Sequence, residues 1–154
     1  MKRPIGLVSI LVAACAAAPQ KGATAVDGAT VDRVTGLRGS LLEAERVYKV
    51  TAPRTDVAVS VDGRRLAPFQ GLTSWAAFAP GRKTECVVMG DLVVLQDEVG
   101  PVMSALLESG LAVTALHNHF LREEPRVFFM HLGGEGTTES LARGVRAALD
   151  AVAK

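Results

Sequence analysis

The stretch Val113-Thr-Ala-Leu-His-Asn-His119, followed after a polar break by Arg126-Val-Phe-Phe-Met-His131, decides how this chain is read. β-Branched and aromatic residues dominate both halves, and Arg122-Glu-Glu-Pro125 between them carries a turn signal. The two halves are therefore expected to form a hairpin spanning 112 to 131. All three histidines of the protein fall within it. Side chains on a strand alternate faces, so His117 and His119 point the same way, roughly 7 Å apart, close enough to share one metal ion or one anion. An odd-numbered loop such as Glu123-Glu124-Pro125 sets odd residues against odd ones and lets His131 lie directly across from His117. An even-numbered loop sends it to the opposite face.

Two amphipathic helices flank this hairpin. From Glu98 to Ser109, the residues Val99, Val102, Met103, Leu106 and Leu107 form one apolar stripe at helical spacing, with Asp97 placed to cap the start and Gly110 to end it. From Thr138 to Val152, the residues Leu141, Val145, Ala148, Leu149 and Val152 do the same, and Glu139 lies near the positive end of the dipole. Each helix needs a sheet to cover. The order from Cys86 is then strand, helix, strand, strand, helix, most of a split β-α-β unit. This predicts an α+β fold, an antiparallel sheet with the two helices packed on it.

Further upstream, Arg46-Val-Tyr-Lys-Val50 and Val57 to Val61 alternate like strands, and Asp62-Gly63 is a tight-turn dipeptide that should close a hairpin onto Arg65-Leu66. Ser74-Trp-Ala-Ala-Phe78 is another strand candidate. Cys86-Val-Val-Met89 and Leu92-Val-Val-Leu95 read as a strand broken by Gly90-Asp91. A short helical turn is expected at Val31 to Leu37.

With 154 residues, an apolar fraction of 49% and a net charge of +1, the chain suits one globular domain and offers no electrostatic footprint for nucleic acid. Residues 1–15 read as a targeting segment: Lys2 and Arg3 are its basic start, and Ile5 to Ala14 an apolar run too short to span a bilayer. Leu11-Val-Ala-Ala-Cys15 resembles a lipobox, which makes Cys15 the lipidated N-terminus of an extracytoplasmic, membrane-anchored protein, periplasmic or on the cell surface. The competing cleavage after Ala16-Ala17-Ala18 is disfavoured by Pro19. Residues 16–28 are small and polar enough for a flexible tether, leaving 29–154 as the domain. Without Lys2 and Arg3 the balance turns slightly acidic, so membrane association rests on the lipid. Cys86, followed by two valines, reads as a buried small hydrophobe.

The three histidines, His117, His119 and His131, suit zinc or copper, with a fourth position for water, substrate or a carboxylate drawn from Asp91, Glu98, Glu123 and Glu124. The alternative is that they cap a sheet edge without any ion. A carboxylate base within reach of metal-bound water would make a metal-dependent hydrolase; without one the protein is a binding or accessory lipoprotein, and with singly buried histidines a structural one. Met89, Met103 and Met130 are conceivable copper ligands, but each sits in an apolar run that core packing explains. Ser74 and Asp91 lack the G-x-S-x-G elbow of a hydrolase. Leu132-Gly-Gly-Glu-Gly136 reads as a strand-to-helix turn needing positive φ more than as an anion cradle. Arg54 and Asp56 read as a solvated or locally paired turn after Pro53.

Pro53-Arg-Thr-Asp56, Leu72-Thr-Ser-Trp-Ala-Ala-Phe78, Met89-Gly-Asp91, Asp97-Glu-Val99 with Pro101-Val-Met103, Thr114-Ala-Leu-His-Asn-His119 and Pro125-Arg-Val-Phe-Phe-Met-His131 together make the chain similar to the LppY/LpqO-type bacterial lipoprotein family. The resemblance covers roughly residues 30 to 152. It implies an envelope location and the extent of the domain, but no activity. Many members of that family carry two such units where this chain has one, which implies a homodimer as the single-unit counterpart.

Overall fold

The computed structural model describes residues 25–152. The expected targeting segment 1–15 with Cys15, and tether residues 16–24, lie outside the described residues. Among the described residues, nine strands and three α-helices follow one another. They are α1 (Gly28–Thr35), β1 (Ser40–Leu42), β2 (Val47–Pro53), β3 (Ser60–Val61), β4 (Arg64–Arg65), β5 (Thr73–Pro80), β6 (Cys86–Leu95), α2 (Val99–Glu108), β7 (Ala112–His117), β8 (Glu123–Glu124), β9 (Val127–Gly136) and α3 (Thr138–Val152). A single 3₁₀ turn, Pro68–Gln70, precedes β5.

Six strands form the main sheet in the order β1-β2-β5-β6-β9-β7, each antiparallel to its neighbour. β9 lies between β6 and β7, so β6-α2-β7 with β9 inserted is the split β-α-β arrangement, and the fold is α+β. A second sheet of three short strands runs β4-β3-β8, its β3-β4 turn made by Asp62 and Gly63 at φ 49° and 78°. Two consecutive positive φ values are what a type I′ hairpin turn demands.

Strand parity divides the interior in two. Even-numbered Val50, Ala76, Phe78, Val88, Leu92, Val94, Met130 and Leu132 face the helices and pack with Val31, Val102, Leu106, Leu141, Val145 and Ala148. Odd-numbered Val93, Val127 and Phe129 face the other way and form a smaller core with Val59 and Leu72 under the second sheet. Each fully buried side chain of this kind contributes about 1.5–3 kcal/mol of transfer free energy. The second sheet does not extend over the whole of that odd-numbered face: Met89 and His117 remain exposed on it.

Several expectations need correction. The first helix starts at Gly28, inside the expected tether and ahead of Val31, because the Asp27 carboxylate accepts from Thr30 N and caps it. β6 runs unbroken through Gly90, where a Cβ would stand 2.6 Å from the Trp75 carbonyl oxygen; the glycine admits the neighbouring backbone. Residue 98, not Asp97, occupies the N-cap of α2, and Leu107 is 56% exposed, outside the buried stripe. Gly133, Gly134 and Gly136 belong to β9 and none has positive φ, so the segment is no turn. A Cβ on Gly134 would stand 2.5 Å from Leu111 Cδ2, and one on Gly144 2.7 Å from its Cδ1, so both glycines make room for Leu111. The start of α3 already receives a carboxylate, since Glu85 Oε1 accepts from Thr138 N and its hydroxyl.

Candidate functional site

The open face of the main sheet is organised in cross-strand rows. One row runs Thr51, Trp75, Asp91, His131, Ala115, and the next pairs Phe129 with His117. His131 is therefore opposite Ala115, not directly across from His117 as the hairpin reading allowed; His117 is its diagonal neighbour. The faces do agree, and for a reason beyond loop length. Between Val113 and Ala115 the β7-β9 register shifts by one residue, so Val113 faces the helices while His117 faces out. The connection to β9 is also longer than expected: Glu123 and Glu124 form β8, paired with Ser60 and Val61.

The imidazoles meet. His117 Nε2 lies 2.9 Å from His131 Nε2, a hydrogen bond in which one ring donates and the other accepts. The His117 and His119 ring centroids are 5.1 Å apart. His131 Nε2 is 3.8 Å from Asp91 Oδ1, a buried oxygen with no hydrogen-bond partner. The ring of His119 lies flat on Phe129, centroids 3.3 Å apart, with Phe120 edge-on. That cover disfavours the charged imidazolium and, with the neighbouring His117 and His131 and against the pull of Asp91, holds His119 below the usual histidine range. As the side chains stand, no three His, Cys, Asp or Glu groups among the described residues already converge as metal ligands. What the fold assembles is an imidazole pair, a third ring beside it and one unpartnered carboxylate oxygen.

The other candidate carboxylates are placed elsewhere. Glu98 is held by Arg54, whose Nη1 and Nη2 donate to Oε2 and Oε1 at 2.8 and 3.0 Å, and Leu95 N donates to Oε2 as well. Arg54 is 6% exposed and also donates to Val93 O and to both oxygens of Asp56, so the local pairing with Asp56 holds, while the solvated alternative gives way to a buried ion network that reaches Glu98. Arg54 in turn keeps the Asp56 carboxyl below its ordinary value. Glu123 accepts from Asn118 Nδ2, leaving Oε2 buried and unpartnered, and Glu124 is exposed on β8. Ser74 is on the helix-facing side and accepts from Val93 N, which ends the hydrolase-triad idea. Cys86 is fully buried, and burial pushes its thiol up, as an inert core cysteine requires.

Sequence reasoning missed three neighbours on the open face. Trp75, the only tryptophan of the chain, is the cross-strand partner of Asp91 and carries the Lys49 ammonium 4.5 Å from its ring centroid. Phe129 is the platform under His119. Met89 is 62% exposed on the same face as Asp91, where burial in an apolar run had been expected; Met130 is fully buried and Met103 packs on the helix-side core. Reading β6 as one strand of period two would have put Met89 and Asp91 side by side.

A family model described as Domain of Unknown Function (DUF1259) matches residues 29–151, and the chain belongs to that family. No curated protein and no solved structure matches it.

Proposed function

We propose that this protein is a cell-envelope lipoprotein, anchored through Cys15, that binds a transition metal ion or a small ligand carrying one on the open sheet face. The ligands are His117, His131 and Asp91, with His119 as the fourth donor within reach. The observation that carries this reading is the buried, unpartnered Asp91 Oδ1 beside an imidazole pair. A buried carboxylate oxygen without a partner costs free energy unless a cation or donor completes it.

The geometry suits an ion with small adjustments. Two nitrogens 2.9 Å apart, each about 2.0–2.1 Å from a common ion, subtend an angle of about 90° there. Binding through both Nε2 atoms requires each ring to carry its proton on Nδ1. For His117 that nitrogen lies 3.4 Å from Asn118 O, which would accept it and fix the tautomer. Asp91 closes its 3.8 Å gap by side-chain rotation.

Binding is favoured over metal-dependent hydrolysis by the same inventory. Glu98 is occupied by Arg54, and of the two carboxylates with a buried, unpartnered oxygen, Asp91 and Glu123, it is Asp91 that stands 3.8 Å from an imidazole nitrogen, and as a ligand it is no longer a free base. Envelope placement is supported by the basic start, the short apolar run and the small residues before Cys15. Among the described residues no helix is long and apolar enough to cross a membrane.

Isothermal titration of metal-stripped protein with zinc and copper tests the site. Wild type should bind one equivalent, and the His117→Ala, His131→Ala double variant should not; equal, weak binding by both defeats the proposal. Mass spectrometry of the native protein tests the anchor, and a chain beginning after residue 15 without acyl groups excludes it.

A further inference from the structure

We propose that β7 is an interface: two copies of this chain pair β7 against β7, antiparallel about Leu116, and so extend the main sheet from one copy into the next. The inference is independent of the metal site. β7 is the last strand of its sheet, and one row of its N–H and C=O groups has no strand partner among the described residues. Folded proteins protect such edges with charge, proline or short length. The opposite edge is protected in this way, since β1 is three residues long and lies between Arg38 and Glu43. β7 is six residues long, and no Asp, Glu, Lys, Arg or Pro occurs between Glu108 and Arg122. Its one irregularity, the register shift between Val113 and Ala115, lies upstream of Leu116 and leaves Ala115 to His117 regularly paired with β9.

The side chains along this edge are apolar and uncovered. Leu116 is the cross-strand partner of Met130, a residue of the helix-side core, so it faces the helices, yet it is 39% exposed. The helix layer repeats the pattern. α3 packs against α1, β6 and β9, whereas α2 also reaches β7. The flank of α2 that carries Pro101 and Ala105 shares a groove with Ala147 and Ala151 of α3. Leu107 is about 200° around the helix from Ala105, so it projects from the other flank, towards the β7 edge, and is 56% exposed. Two leucines, one in each layer, thus border the same open strand.

A second copy is the occupant that matches this edge. An isologous pair presents the same surface to itself, and an uncharged strand can do so without setting like charges against each other. Pairing about Leu116 places that leucine opposite its own counterpart on the helix side, and Ala115 opposite the histidine at 117 on the open face. It also supplies strand partners for the outward N–H and C=O groups. Because the two sheets become one, their open faces lie on the same side, and so do their helices.

Sedimentation of the mature protein in density-matched detergent, together with cysteine cross-linking, tests the interface. Wild type should sediment as two chains and Leu116→Lys as one, because two ammonium groups would face each other at the axis. Under mild oxidation Leu116→Cys should form a covalent dimer, since directly opposed Cβ atoms lie about 4.5–5.5 Å apart. Ala112→Cys should not, because its two copies would be offset by eight residues, about 27 Å at 3.4 Å per residue. Cys86 is buried, and wild type measures the background. The cysteine pair decides even if Leu116→Lys fails to fold. A wild type that sediments as one chain at concentrations on the order of 100 μM overturns the proposal. Equal cross-linking at 112 and 116 reports random collision and also overturns it. A photo-cross-linker at residue 116 in living cells that captures only chains of another mass assigns the edge to a different protein and overturns the second copy.

Discussion

Asp91 and His131 are direct cross-strand partners on β6 and β9, and Asp91 Oδ1 stands 3.8 Å from His131 Nε2 with no hydrogen bond of its own. On the function proposed above, that oxygen is free for a cation because no hydrogen bond of the fold engages it. Asp91→Asn should therefore lower metal affinity by about 10- to 100-fold, the scale of damaged metal sites, without lowering the melting temperature of metal-free protein. Quenching of the single Trp75 by copper reads the binding, because Trp75 is the partner of Asp91 on the other side. Undiminished quenching in the variant counts against a ligand role for Asp91.

Arg54 and Glu98 form the buried tie between the end of β2 and the start of α2, with side chains 7% and 11% exposed. Removing the guanidinium leaves the buried Glu98 carboxylate uncompensated, so Arg54→Met alone should cost about 3–5 kcal/mol, and Glu98→Leu alone less, because Asp56 still pairs with Arg54. The double variant should recover much of the loss, because two apolar side chains replace the pair. Urea unfolding of the three variants decides; additive losses would show that the pair is not coupled.

Tyr48 is gripped between two glycines: a Cβ on Gly28 or on Gly39 would stand 2.4 Å from a ring carbon. Its hydroxyl donates to Asp32 Oδ1 at 2.7 Å, holding that carboxyl below its ordinary value. Gly28→Ala, whose added Cβ would have Tyr48 ring carbons as its nearest neighbours, should cost about 1–3 kcal/mol by overpacking. In a Tyr48→Ala background the same substitution should cost far less, which thermal unfolding of the two pairs can show.

His119 sets a pH dependence. Burial of its ring on Phe129 disfavours the charged form, so the folded chain protonates this imidazole less readily than the unfolded chain. Its contribution is fully present above the ordinary histidine value of about 6.5 and is lost as pH falls through the lower folded value. Denaturant midpoints between pH 7.5 and 5 should fall less steeply in His119→Gln than in wild type. Identical slopes would contradict the shift.

The helices and their side of the sheet were legible because long periodic runs leave little choice. Leu141, Val145, Ala148 and Val152 recur at helical spacing through α3, and all are buried. The local pairing of Arg54 with Asp56 was legible, but its burial was not, because its second partner Glu98 is distant in sequence and a charged residue after proline carries no local sign of burial. Gly90 was read as a break because a breaker and a close-approach glycine look alike without the neighbouring strand. The common face of His117 and His131 was foreseeable, but their diagonal placement was not, since a bulge leaves no mark in composition.

That bulge bears on how β7 tolerates a change of length. Four steps along β7 from Val113 to His117 are matched by only three along β9 from Leu132 to Phe129. The strand carries one surplus residue. A chain lacking Thr114 would pair regularly and still present Val113 inward and His117 outward, so this shortening should preserve both fold and metal binding. Removing Phe128 from the unbulged strand should abolish both. Deletion is ordinarily the harshest edit a central sheet can suffer, and here its outcome depends on which of two neighbouring strands has a residue to spare.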